Sequence, residues 1–119
     1  MATTTIIPGR IVKDNSTATT GAIAHSLTIT NAAKLISVTL KVNTAPSTSE
    51  NYTITLDALA GVTYDTLLYT KDLAGGAVTA LAWFPDETKW LEPGDIITVA
   101  YTNTDARTFG SQITVEEVF

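Results

Sequence analysis

His25 is the only histidine in the 119 residues, and there is no cysteine. An imidazole near neutral pH can serve as a base or a metal ligand. Nucleophilic catalysis would need a hydroxyl on one of its nitrogens and an orienting carboxylate on the other. No local motif supplies either beside His25, so a structural histidine on an apolar strand face is the preferred reading. With no thiolate available, sulfur-built zinc sites and thiol catalysis are excluded. The carboxylates Asp57, Asp65, Asp72, Asp86, Glu87, Asp95 and Asp105 fall mostly at the ends of predicted strands. A hard cation wants several oxygens from one loop. Asn103 with Asp105, or Asp86 with Glu87, come nearest, and neither pair sits in a recognised calcium loop. Turn Asp and Asn residues bond their own backbone in any case. Gly75-Gly76 precedes neither a lysine nor a helix start and is no phosphate loop. The expectation is a protein without cofactor or metal, and not an enzyme.

The aromatic residues offer a different chemistry. Trp83 and Phe84 are neighbours in a predicted strand and must point to opposite faces. Trp90 is a third large ring on the same stretch. These rings either close the end of the core or form a contact surface for a protein partner or a stacked sugar. Trp83 and Trp90, together with Ile6, Ile7 and Arg10 near the N-terminus, are the candidate partner-contact residues.

Composition narrows the partners. The formal charge is −5 and the pI is near 4.5. The seven Lys and Arg are scattered with none adjacent, so no nucleic acid is expected as a partner, because tracking phosphates needs a basic patch. No stretch approaches the roughly 18 apolar residues of a membrane helix, and the first ten residues lack the regions of a secretory signal; no membrane association is expected. Charged residues make up only 16%, low against the usual quarter. A free monomer ordinarily carries more charge to block strand-to-strand association.

The elements that would hold these residues are strands. The organising stretch is Leu91 to Asp105, LEPGDIITVAYTNTD. Pro93 and Gly94 suit the two central positions of a type II turn, and Ile97, Val99 and Tyr101 then alternate inward. A strand from Ala22 to Thr30 puts Ile23, His25, Leu27 and Ile29 on one face. Another, Leu35 to Val42, puts Ile36, Val38, Leu40 and Val42 inward, and a third turns in Tyr52, Ile54 and Leu56. NTAPSTSEN, between the last two, reads as a flexible connection. The segments 66–71 and 78–84 read as strands of undecided register. A last strand carries Ile113 and Val115 inward, and Glu116-Glu117-Val118 predicts a bulge or the strand leaving the sheet. Residues 1–21 read as an N-terminal arm in which KDNSTATTG is a polar loop, held by the domain's own sheet or by a neighbouring subunit. The domain proper spans 22–119. About eight short strands at intervals near ten residues predict an all-β protein, an antiparallel β-sandwich of jelly-roll or Greek-key type, with a closed barrel as the alternative.

The segments SVTLKVNTAPSTSENYTITLD, YDTLLYTKDL and LEPGDIITVAYTNTDARTFG, within residues 37–110, resemble small structural proteins of tailed-bacteriophage virions: head-decoration, cement-like or tail-associated β-sandwich proteins. The resemblance implies a non-enzymatic virion component made in the host cytoplasm. Its partners would be the major capsid protein or other virion proteins, and the chain would be a homo-oligomer. No catalytic residues come with the resemblance. The alternative is a carbohydrate-binding module with Trp83 or Trp90 as stacking platform and Asn103 and Asp105 as hydroxyl partners; a small hydrolase ranks last.

Overall fold

A computed structural model describes residues 9–118 of the chain. Nine strands are found among them: β1 (Arg10–Ala18), β2 (Ile23–Thr28), β3 (Ala33–Val42), β4 (Asn51–Asp57), β5 (Thr66–Asp72), β6 (Ala80–Trp83), β7 (Lys89–Leu91), β8 (Ile96–Tyr101) and β9 (Phe109–Glu117). They form two antiparallel sheets. The first runs β1-β9-β3, with β6 and β7 both pairing the far edge of β3; the second runs β2-β8-β4-β5. β6 takes the Val38–Lys41 half of β3 and β7 the Ala33–Leu35 half. These two short strands therefore share one position, interrupted at Pro85, which has no N–H for a ladder. With that position counted once, the chain order over the two sheets is that of an eight-position jelly roll, as the strand spacing predicts.

The core is the alternating inner face of both sheets: Ile23 from β2, Val38 and Leu40 from β3, Tyr52 and Ile54 from β4, Ile97 and Val99 from β8, and Ile113 and Val115 from β9 are all buried. The Pro93-Gly94 turn forms as expected. Gly94 has φ +100°, and the Asp95 N–H donates to the Glu92 carbonyl at 3.0 Å. Asp95 is buried and accepts the Leu59 and Glu92 N–H groups, each at 2.9 Å. The turn is thereby tied to the β4–β5 loop.

Three expectations are corrected. KDNSTATTG is not a loop up to Gly21: residues 10–18 form β1, paired with β9 along its whole length. The sandwich thus extends into the segment read as an arm, and Ile6 and Ile7 lie outside the described residues. Its inner face alternates Val12, Asp14, Ser16 and Ala18, too polar to register as a core strand. Secondly, Ile36 is not inward. β3 carries a bulge between Leu35 and Ser37, and the extra residue switches the inward set from Ala33 and Leu35 to Val38, Leu40 and Val42. We expect Leu35→Ala to cost about 2–4 kcal/mol by cavity formation, and Ile36→Ala less than about half as much. Equal losses in urea unfolding would show that the bulge is misplaced. Thirdly, the alternation of β9 continues through its end. Glu117 faces inward and is buried, taking a hydrogen bond from Asn31 Nδ2 at 2.9 Å and facing Arg10 Nε at 3.3 Å. Glu116 faces outward to Lys34.

A second bulge, at Leu68, decides the undecided register of β5: Tyr69 pairs with Ile54 and Leu67 with Thr55.

Candidate functional site

The first polar constellation is internal. His25 is 4% exposed, with Nε2 2.7 Å from Asp14 Oδ2 and Nδ1 2.8 Å from Ser111 Oγ. A carboxylate only accepts, so Nε2 donates to Asp14, and in the neutral ring Nδ1 accepts from the Ser111 hydroxyl. The expectation that no serine or carboxylate stands beside His25 is corrected: β1 and β9 bring both to it from 11 and 86 residues away in sequence. These are the groups of a nucleophilic triad, but Ser111 is 3% exposed and its oxygen lies inside the sandwich, where no acyl group can approach. As placed, the three side chains join β2 of one sheet to β1 and β9 of the other.

The second constellation is the loop end after β8. Asn103 holds φ +57°. Its amide donates to the Gly21 and Arg107 carbonyls, and its oxygen accepts the Arg107 N–H. Asp105 accepts from the backbone N–H and hydroxyl of both Ser47 and Thr48. Glu50 accepts from Thr104, and Asp72 from Ser49 and the Ala74 N–H. The connection expected to be flexible is therefore stitched down by three carboxylates. The oxygens of Asn103 and Asp105 face the chain's own donors, and among the described residues no three His, Asp or Glu side chains are placed to hold a metal.

Thr48, through its N–H and then its hydroxyl, holds the Asp105 carboxyl below its ordinary pKa. The Ser49 hydroxyl does the same for Asp72. A carboxyl depressed in the folded state favours folding above its unfolded pKa of about 3.9, and loses that contribution as pH falls through the folded value. We expect the Thr48 amide to stay protected from hydrogen exchange at pH 5 and to lose that protection as pH falls below the ordinary carboxyl range, ahead of amides in β8. Simultaneous loss in both places would mean that the carboxylates do not hold the loop separately.

The third constellation is a surface. Trp83 packs partly buried against the core with its ring 6.0 Å from that of Tyr69, and Phe84 on the opposite face is exposed. Trp83 is thus a core-edge residue. Trp90 is 65% exposed. It faces outward in a row with Lys34, Glu116 and Ile11, set by the pairings of β7, β3, β9 and β1. With Tyr64, 63% exposed, it borders a concavity lined also by Ala32, Leu56, Ala58 and Leu91 and by the carboxylates Glu92 and Asp95. Leu59 and Val62 stand exposed on the same β4–β5 loop. No residue of 58–65 was singled out from sequence except Asp65; the overlooked signal was a leucine, a valine and a tyrosine in a loop of otherwise small residues.

This surface lies at the Pro93-Gly94 end of the sandwich, whereas Asn103 and Asp105 follow the other end of β8. Six strand residues, about 20 Å, intervene. The sugar site that would join Trp90 to Asn103 and Asp105 is therefore not assembled. Arg10 is exposed beside Glu117, at the same end as Trp90. Among the described residues no helix is long and apolar enough to cross a membrane.

Fold and surface together define a jelly-roll β-sandwich with an exposed apolar end. Beyond that class, no protein-family model matches the chain and no curated protein matches it.

Proposed function

We propose that the chain is a non-enzymatic structural subunit of a tailed-bacteriophage virion, attached to the major capsid protein or another virion protein as a homo-oligomer. The observation that carries this reading is the exposed apolar end: Trp90, Tyr64, Leu59 and Val62 all lie open to solvent at one end of the sandwich. Clustered exposed apolar residues mark interaction sites more often than scattered ones do, and tryptophan and tyrosine are the residues that dominate interface energetics. The outer face of the second sheet supports the same reading. Its two middle rows run Ala24-Ala100-Thr53-Thr70 and Ser26-Thr98-Thr55-Leu67 without a charge, between Asp57 in the row of Thr28 and Ile96 and Asp72 opposite Asn51, so those two rows present nothing that repels a packed neighbour. The jelly roll itself is shared by capsid and lectin domains and does not choose between them.

The test is co-sedimentation with the particle. Trp90→Ala should weaken particle binding about tenfold or more and leave the unfolding midpoint nearly unchanged, because the ring is exposed. Undiminished binding would remove the contact role. A carbohydrate-binding module is the second reading, favoured by the two exposed rings bordering one concavity; sugar binding on a glycan array that disappears with Trp90→Ala would replace the first reading with it.

A further inference from the structure

We propose that the concavity between Trp90 and Tyr64 holds an arginine side chain of the partner protein, its guanidinium lying on the rings and paired with Glu92. The proposal rests on the reading of this end as a contact surface and names the chemistry that the surface recognises. Glu92 follows Trp90 by two residues, is exposed and lines the concavity with it. Among the described residues its carboxylate enters no ion pair.

The cations of this end are committed elsewhere. Arg10 faces Glu117 at 3.3 Å, and Lys34 faces Glu116 at 3.5 Å. Lys89 pairs with Leu35 on the inward side and lines a separate cleft with Trp83, Asp86 and Glu87. Asp95 adds a second, buried carboxylate to the concavity. Its oxygens already take the Leu59 and Glu92 N–H groups, so Glu92 is the contact left open to a visitor. The rest of the lining is alanine, leucine and the two rings. A sugar carries hydroxyls around its whole edge and needs several donors and acceptors, more than one carboxylate and the Tyr64 hydroxyl supply. A cation on an apolar stem needs only ring faces for stem and charge, and one anion for its head. Arginine fits better than lysine. Its planar guanidinium stacks on an aromatic face and gives a carboxylate two parallel N–H groups, whereas an ammonium is a strongly hydrated point charge. The chain's own residues 2–8, ATTTIIP, have no charged side chain to offer Glu92. The formal charge of −5 draws a basic partner from beyond contact range.

The experiment uses the full-length protein and two readouts. In co-sedimentation, Glu92→Gln should weaken particle binding about tenfold, and added salt should weaken what remains less than it does the parent. Its unfolding midpoint should not move, since the side chain is exposed. In fluorescence, Trp83→Phe leaves Trp90 as the one tryptophan of the chain. N-acetyl-arginine amide should shift its emission, and the uncharged N-acetyl-citrulline amide should do so about tenfold more weakly. Equal responses to the two probes, or none to either, overturn the proposal. A stronger response to the arginine probe after deletion of residues 2–8 also overturns it, by making that segment of the same chain the occupant. Sugar binding lost in Trp90→Ala and kept in Glu92→Gln would give the concavity to a glycan instead. Where Glu92→Gln binds the particle as the parent does and Trp90→Ala does not, the arginine is refuted and the contact surface stands. Where neither variant differs from the parent, both fall.

Discussion

Replacing His25 with leucine is expected to lower the unfolding free energy by about 2–4 kcal/mol, although leucine suits a buried position. The reason lies in what the substitution strands. Ser111 is buried and offers its hydroxyl to the ring at 2.8 Å; without a partner it carries the desolvation cost of an unpaired polar group, about 1–3 kcal/mol. Asp14 loses the N–H at 2.7 Å, but is partly exposed and recovers some hydration. Ser111→Ala alone removes one hydrogen bond without leaving a charge unpaired and should cost about 0.5–1.5 kcal/mol. Combining the two should cost less than their sum, since alanine removes the stranded hydroxyl. Urea unfolding of the three variants decides it. Additive losses, or a His25→Leu loss below that of Ser111→Ala, would mean that the ring does not bind the two sheets together.

Gly94→Ala is expected to cost about 1–3 kcal/mol, the range for a non-glycine residue held in a sparsely populated backbone region. Gly94 sits at φ +100°, and the added carbon would lie 2.8 Å from Leu59 Cδ1. Leu59 is exposed and can swing away, so the backbone term sets the loss and valine should be worse than alanine. The displaced leucine also stands on the contact surface, so Gly94→Ala should weaken particle binding beyond its effect on stability. Gly21→Ala is the control: nothing lies within 4 Å of its added carbon, and it should fall within about 0.5 kcal/mol of the parent. A Gly94→Ala protein as stable as that control would show that the turn can change type at no cost.

These two residues also mark how far the sequence can be read. Gly94 was legible because a Pro-Gly pair before a clean alternation has one economical conformation, and Ile97, Val99 and Tyr101 follow it inward as expected. His25 was legible as an inward residue but not as a joint, since its partners come from strands that only the tertiary arrangement brings near. Asp14 was hidden twice over, because the inner face of β1 is half polar and reads as a loop. Ile36 was misplaced, and the register around Leu68 stayed undecided, for another reason: a bulge shifts the alternation by one residue, and period-2 reasoning has no means of sensing an extra residue. The rings were half legible. Adjacency placed Trp83 and Phe84 on opposite faces; which one met the core depended on β6 pairing with β3.

The placing of β9 between β1 and β3 has a consequence for how the molecule is made. The strand that joins two earlier strands of the first sheet is the last of the nine described strands to be synthesised. A nascent chain ending after β8 holds every strand of the second sheet, but its β1 and β3 have nothing to bridge them. Such a half-assembled slab exposes one apolar face to the ribosome's surroundings, a natural client for a holding chaperone until residues 109–117 emerge. Ribosome-bound chains halted just before that point should be cut readily by protease within β1, and those released after it should resist.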